Sequence, residues 1–495
     1  MGKNVEHSHF SQADHDRFTQ RLYENLDLLE LLLATPGFGQ GETSIGAELE
    51  LDLIDPRRHT LWINAQLLKL ANDPQLTYEV NQYNLEYNLT PVSASGHPFT
   101  CIGREISSKL KHLNQLAADF NARAITIGIL PTLSTRDIRY EAMTDYNRYR
   151  ILARELNKLR HSPNRIDIQG HESLELENVV LNTEGANTSF QIHLRTETDD
   201  FKDLYNAAQL ASAPALAIGT NSPFFMQKQL WEETRIPLFE QLAEVPEIQG
   251  KYLGKRAGMD EDWVKKNALE LFRRSVENYP VLIPECTEDS DQAIHRSTEG
   301  GAPDLFELRL HHGSIWHWNR AIYDPAGNGH IRMELRSLPS GPTVIDMMAN
   351  AAFLIGLTAG LKKRMQKISR YMPFDCVKSN FYLAARTGMD AVFDWPADNS
   401  HSMKKVNAVT LASELLVVAE QGLKELKVKT DEITIMLDTI EGRLKQQITG
   451  ARWQINTVKR LERNMPRKEA LDQMLMLYIQ QSELDKPVHL WPLPC

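Results

Sequence analysis

Four short stretches of this 495-residue chain set charged or amide side chains two residues apart, between apolar ones. In Gly46-Ala47-Glu48-Leu49-Glu50-Leu51 they are two carboxylates; in Asn84-Leu85-Glu86-Tyr87-Asn88-Leu89 a carboxylate stands between two amides. Asn187-Thr188-Ser189-Phe190-Gln191-Ile192-His193-Leu194 offers Ser189, Gln191 and His193, and Ile331-Arg332-Met333-Glu334-Leu335-Arg336 offers Arg332, Glu334 and Arg336. Side chains alternate across a strand, so each set would share one face, opposite the apolar residues. Such a face reads either as the solvated side of an antiparallel sheet or as a wall of ligands. A lone histidine like His193 is more often an ordinary hydrogen-bonded residue, and a lone Glu-x-Arg a cross-strand ion pair. Repetition over four strands points the other way. Gathered on one concave face, the carboxylates would repel by roughly 4 kcal/mol per close pair at an effective dielectric of 20. Divalent cations relieve that repulsion, and oxygen donors with one imidazole suit Mg²⁺ or Mn²⁺ better than zinc. Such ions would hold a polyphosphate, with Arg336 neutralising a transferring phosphoryl group.

These positions need a sheet, and the surrounding pattern supplies one. From Thr43 onward, Ile45, Ala47, Leu49, Leu51 and Leu53 point one way and Gly46, Glu48, Glu50 and Asp52 the other. Further strands are expected at 125–130, 306–310 and 331–338. Helical spacing marks 11–34, which stops at Pro36-Gly37, and 106–120. The apolar stretch 347–361 is broken by Asn350, Gly356, Thr358 and Gly360; it is too short for a membrane span and reads as a buried helix. No proline occurs between Pro396 and Pro466, where Val406, Val409, Leu415, Val418 and Leu423 recur at helical spacing. The expected class is α+β: an N-terminal helical extension over 1–40, a sheet-based unit over 41–345, and a mainly helical region over 346–495. Turn signals and charge at 245–300 suggest an insertion or lid.

Several function classes fall away. Lys and Arg total 55 against 65 Asp and Glu, a net charge of −10, and no basic run could track a nucleic-acid backbone. Cys101, Cys286, Cys376 and Cys495 form no CxxC pair, so neither a zinc ribbon nor a disulfide scaffold is expected. The polar start lacks a signal-peptide core, and a soluble cytoplasmic protein is the expectation. Walker-type, GxGxxG, HExxH and GxSxG runs are missing. His311-His312 looks like a metal pair only superficially, because neighbours on a strand point oppositely; it reads as structural.

Taken in order, Gly46 to Glu50, Glu86-Tyr87-Asn88-Leu89-Thr90-Pro91, Thr188 to His193, Asn221-Ser222-Pro223-Phe224 followed by Arg235, and Met333 to Arg336 resemble the second glutamate–cysteine ligase family. That family includes bacterial carboxylate–amine ligases and plant-type enzymes. The similarity covers about residues 43 to 360, and Thr449-Gly450-Ala451-Arg452-Trp453-Gln454 echoes the C-terminal region of bacterial members. The resemblance implies a glutamine-synthetase-like fold, in which a curved, mostly antiparallel sheet forms a catalytic funnel flanked by helices. ATP would enter at one end and the acceptor acid at the other. It implies one Mg²⁺ or Mn²⁺ site from Glu50, Glu79 and Glu86, and a second from Glu48, His193 and Glu334. Glu79, in the loose motif Thr77-Tyr78-Glu79-Val80-Asn81-Gln82, also reads as an acidic loop residue. Arg336 is implied at the γ-phosphate and Arg235 near the acceptor carboxylates. Gln191 and Arg148 are implied among the cofactor contacts, Arg148 also reading as an exposed helix arginine.

The implied activity joins a glutamate-like acid to an amine, cysteine first, through an acyl phosphate to γ-glutamylcysteine, a step of glutathione biosynthesis. The alternatives are a ligase of the same fold with another amine or acid, or a catalytically silent paralogue that binds nucleotide or amino acid. Small molecules are the expected partners, with no nucleic acid and no membrane. The motifs do not set the oligomeric state.

Overall fold

The computed structural model describes residues 5, 9–160, 164–244, 255–286, 301–397 and 402–494. At its centre is a curled antiparallel sheet of eight strands. They are β1 (Ser44–Ile54), β2 (Leu76–Tyr78), β3 (Asn84–Asn88), β4 (Val92–Ser93), β5 (Arg123–Ile125), β6 (Phe190–Arg195), β7 (Asn319–Asp324) and β8 (His330–Leu335). The order is β7-β8-β6-β1-β3-β2, with β4 and β5 also pairing with β1. The four alternating stretches therefore lie side by side, as β8-β6-β1-β3.

Register decides which side chains meet. Glu50 opposes Glu86, Glu48 opposes Gln191 and Asn88, and His193 opposes Gly46 and Glu334. Directly opposed residues share a face, so the polar sets of all four strands point to one side. On the other side Leu49, Leu51, Leu85, Phe190, Ile192 and Leu335 are buried under the helices Phe201–Gly219 and Val344–Leu361. Thr343 caps the second of these, its hydroxyl accepting from Asp346 N, and the helix packs between Phe201–Gly219 and Ala408–Glu425. Val344–Tyr371 is apolar and long enough to cross a bilayer, but 83 % of its most apolar window is buried, so core packing accounts for its composition.

One apolar cluster joins the sheet to the N-terminal helix Gln12–Ala34, through Phe18, Leu22, Leu26 and Leu29. A reciprocal Ser11–Asp14 capping box starts that helix. It packs against the helices Leu269–Asn278 and Phe306–His312. Beyond Val344 the chain is mainly helical, apart from one antiparallel pair, Val392–Pro396 with Met403–Asn407. The last two long helices, Gly450–Leu461 and Arg467–Ser482, put Trp453, Leu475 and Tyr478 into a second cluster with Ile127, Phe224 and Leu238.

Three expectations need correction or limits. Residues 306–310 are helical, not a strand: Leu305 adopts φ 47°, and Phe306–His312 buries Glu307, Leu308, His311 and His312 at helical spacing. Five alternating residues satisfy either period, and packing against two helices selected this one. Of 125–130 only Ile125 is in a strand; Ile127, Ile129 and Leu130 are buried in the second cluster without joining the sheet. In 245–300, residues 255–286 are built into the core through Trp263, Val264 and Phe272, and Ala257–Gly258 pairs in parallel with Trp316–His317. The remainder of that segment lies outside the described residues.

Candidate active site

The polar face of the sheet floors a cavity of about 410 Å³. Glu48, Glu50, Glu86, Gln191, Glu334 and Arg336 reach it from the sheet or its edge, and Glu79 from the turn between β2 and β3. Glu184 enters from the short 3-10 turn Leu181–Ala186, and Arg148 and Tyr149 from the first turn of the helix Asn147–Leu159. The helix Phe306–His312 closes the cavity with Phe306, Arg309 and His312, beside Phe272 and Trp316. A wider depression of about 690 Å³ runs along Arg150, Arg154 and Lys158, and no carboxylate among the described residues lines it.

Two ligand clusters stand in or beside the cavity. In the first, atoms of Glu48, His193 and Glu334 lie within 4.8 Å of one another. His193 Nε2 is 3.1 Å from Glu48 Oε1 and 3.9 Å from Glu334 Oε1. Arg320 clamps Glu334 through Nε (2.9 Å) and Nη2 (3.0 Å), and Arg336 Nη1 adds a third contact at 3.0 Å. Burial pushes the Glu48 carboxyl up, but the adjacent His193 outweighs it and holds the group at about 2. Burial opposes ionisation of Glu334 as well, yet Arg320 and Arg336 hold it well below the usual range.

In the second cluster, atoms of Glu50, Glu79 and Glu86 also lie within 4.8 Å. Glu50 accepts from Ser189 N at 2.6 Å and Gln191 Nε2 at 2.8 Å, and Glu79 accepts from Val80 N at 3.0 Å. Among the described residues no lysine or arginine forms an ion pair with Glu50 or Glu79. Burial raises Glu50; burial with repulsion from Glu86 and Glu50 raises Glu79 well above its ordinary value; burial with repulsion from Glu48 pushes Glu86 to about 8. A hydrogen-bonded chain joins the clusters: Arg336 Nη1 donates to Gln191 Oε1 at 2.8 Å, and Gln191 reaches on to Glu50.

Both clusters fit a hard divalent cation. Their donors are carboxylate oxygens and one imidazole nitrogen, the set that Mg²⁺ or Mn²⁺ takes. One buried atom aimed into the second of them, Glu79 Oε1, makes no hydrogen bond. One adjustment goes with ligation by His193. Its Nδ1 accepts from Arg332 Nε at 3.0 Å, so a neutral ring carries its proton on Nε2. Nε2 becomes a ligand only when Arg332 lets go of Nδ1.

The other residues singled out from sequence fall in different places. Arg148 is buried and lines the cavity, where burial lowers its pKa. Arg235 is not among the residues lining it: only 2 % exposed, its guanidinium donates to Glu233 and Ser337 O, and its charge reaches Glu50. His311 and His312 are structural, their Nε2 atoms engaged with Ser275 O and Ala321 O, and burial lowers them to about 4 and about 3. Two site residues escaped the reading. Glu184, which burial and Glu50 push to about 8, sits on a 3-10 turn where no strand period betrays it. Arg320 opposes Glu334 across the β7–β8 pair, and the Gly327 and Gly329 turn between them was the available signal.

No curated protein matches the chain in sequence. Among solved structures, a glutamate–cysteine ligase from Francisella tularensis in complex with AMP matches with a TM-score of 0.55 at 12 % identity, over 92 % of this chain and 91 % of that one. A bifunctional glutathione synthetase from Pasteurella multocida gives 0.45 at 10 % identity, over 93 % and 55 %. At 12 % identity the likeness to the Francisella structure speaks for the fold alone, and it agrees with the curled antiparallel sheet and its helical flanks. The sequence profile of glutamate–cysteine ligase family 2 matches residues 44–475, which take in the sheet, both carboxylate clusters and most of the C-terminal helices, and the chain belongs to that family.

Proposed function

We propose that the protein is an ATP-dependent carboxylate–amine ligase that joins the γ-carboxylate of glutamate to the amino group of cysteine. The observation that carries the reading is the pairing of two three-ligand clusters in one cavity, bridged by Arg336 and Gln191. Family membership supports the ligase class, and the AMP complex of the Francisella ligase supports nucleotide use.

A carboxylate does not react with an amine in water, because oxide is a poor leaving group. Phosphorylation replaces it: the γ-carboxylate oxygen attacks the γ-phosphorus of ATP, ADP leaves, and an acyl phosphate forms. The amine then attacks the acyl carbon, loses a proton, and phosphate departs with the electron pair of the broken C–O bond. Glu48, His193 and Glu334 would hold one cation and Glu50, Glu79 and Glu86 another, which when bound would neutralise phosphate charge and order the reactants. Arg336, which donates to Glu334 and Gln191, would meet the phosphoryl charge that develops in transfer. Arg320 keeps Glu334 ionised and in place. Phe272, Trp316 and the helix Phe306–His312 cover the cavity from water. Positioning and charge neutralisation are the protein's share, and no side chain need act as a nucleophile.

The experiment is ADP release from purified protein with Mg-ATP, glutamate and a panel of amines. Turnover with cysteine above all others supports the full reading; turnover with a different amine keeps the ligase and reassigns the substrate. No ADP with any amine turns the assignment to a nucleotide- or amino-acid-binding protein.

A further inference from the structure

Two of the sequence motifs touch nothing in the cavity, yet Asn221, Ser222, Arg235, Thr449 and Gln454 are at most 2 % exposed. Buried polar side chains need partners, and these partners lead back to the site. The β1–β6 ladder ends at the pair Leu49–Phe190, so the Glu50 carbonyl meets a hydroxyl: Ser340 Oγ donates to it at 2.8 Å. Asn221 Nδ2 donates to Ser340 O at 2.8 Å and to the Tyr478 hydroxyl at 2.9 Å, which in turn donates to Thr126 O at 3.0 Å. Gln454 Nε2 holds Asn221 from behind, through Oδ1 at 2.9 Å and the carbonyl at 3.2 Å. Two glycines leave the room: a Cβ on Gly450 would overlap Asn221 Oδ1, and one on Gly341, at φ +75°, would overlap Thr126 O. A second branch passes from Asn221 N to Glu233 at 2.8 Å, from Glu233 to Arg235 Nε at 2.6 Å, and from Arg235 Nη2 to Ser337 O at 2.6 Å, one residue past Arg336.

We propose that this buried network is a positioning frame: Asn221, Ser340, Tyr478 and Gln454 fix the backbone at Glu50 and thereby set the divalent-cation affinity of the Glu50–Glu79–Glu86 cluster, without touching substrate. The proposal rests on the metal-site reading of that cluster. A cation cage is sensitive to small shifts of its ligands, and residues outside the ligand set govern those shifts. Here the orienting contacts come from the last helices of the chain, which gives the C-terminal region a part in the site it does not line.

The test is Mn²⁺ binding to the full chain without nucleotide, followed by calorimetry or spin resonance, so that it does not depend on turnover. Ser340→Ala deletes one oxygen, Tyr478→Phe one hydroxyl, and Gln454→Leu the distal link. Each should weaken one class of Mn²⁺ site by about 5-fold, the factor of one ordinary hydrogen bond. That class should be the one Glu79→Gln removes, with the other class unchanged. Ser340→Ala and Gln454→Leu combined should fall short of the product of their separate effects, since both act through one chain of contacts. With ATP present, the same variants should need more Mg²⁺ for half-maximal turnover, while KM for ATP at saturating Mg²⁺ stays put. Lower melting temperatures with unchanged Mn²⁺ affinity in Ser340→Ala and Tyr478→Phe would overturn the proposal and leave the network a brace of the fold. Those two variants decide the matter if Gln454→Leu fails to fold. A wild-type protein that binds no Mn²⁺ overturns the frame and the metal reading together. One that binds Mn²⁺ with these shifts but ligates no amine sinks the ligase reading alone.

Discussion

The two carboxylate clusters occupy neighbouring strands, and they handle crowded negative charge in opposite ways. Around Glu48 and Glu334 the counter-charge is built in: Arg320, Arg336 and His193 keep both acids ionised. Around Glu50, Glu79 and Glu86 burial raises all three acids, and repulsion from neighbouring carboxylates adds to it at Glu79 and Glu86. The first cluster is thus a preformed anionic socket whose charge is already spoken for. The second stores protons, and a cation must displace them. A site that keeps its shape without an ion suits the transferring end of a nucleotide; one that changes charge on loading suits a cation that arrives with a ligand.

The largest expected effect is at the preformed socket. Glu334→Gln should slow turnover by about 10²-fold or more, the scale of losing one transition-state electrostatic contact, and added Mg²⁺ should recover part of it. Steady-state kinetics at several Mg²⁺ concentrations check this. Unchanged Mg²⁺ dependence would reduce Glu334 to an anchor for Arg320 and Arg336 and erase the contrast between the clusters.

Glu79→Gln should behave differently, because burial and acidic neighbours raise the Glu79 carboxyl and glutamine mimics its protonated form. Mn²⁺ affinity should fall by about 10-fold or more, as expected for a lost ligand or its immediate support, while thermal stability of the metal-free protein rises at pH 8 and changes little at pH 5. The sign follows from linkage. A carboxyl whose folded pKa is raised favours the folded state below its unfolded value, and the advantage is lost as pH rises through the folded value. Glu79 is raised well above the ordinary carboxylate value, so its loss sets in as pH rises beyond that value. Melting curves from pH 5 to pH 8 check it, and a destabilised Glu79→Gln at pH 8 would show that the acid is ionised after all.

Proton release sharpens the same comparison. Near pH 7, loading the second cluster should expel a proton from Glu86, which burial and Glu48 hold at about 8. Calorimetry in two buffers of different ionisation enthalpy reads the release directly. The smallest effect belongs to Arg332→Met, which frees His193 Nδ1 to carry the proton. Mn²⁺ should then bind the first cluster about 5-fold more tightly, one hydrogen bond's worth. Weaker binding would mean that Arg332 does not govern the ring.

The chemistry on the strands was legible because a period of two is strict: Glu48, Glu50, Glu86, Gln191, His193 and Glu334 had to share a face once their strands were adjacent. Adjacency itself came from motif order, since register is a property of pairs. Residues outside that period were invisible or misplaced. Glu184 rides a 3-10 turn, and Arg235 has the right type for an acceptor site but is claimed by Glu233 and Ser337 O, contacts that exist only after distant segments meet. The stretch 306–310 shows the same limit, for its neighbours in space chose helix over strand.

The N-terminal helix has a consequence in time. Its buried face, Phe18, Leu22, Leu26 and Leu29, closes on helices that end as late as His312. About 280 residues separate the two in the chain. At the usual pace of synthesis, about 5–20 residues per second, the helix waits on the order of 15 to 60 s outside the ribosome before its seat exists. During that interval an amphipathic segment shows its apolar side to the cell. Production of this protein should therefore depend on what shelters the helix Gln12–Ala34 during synthesis.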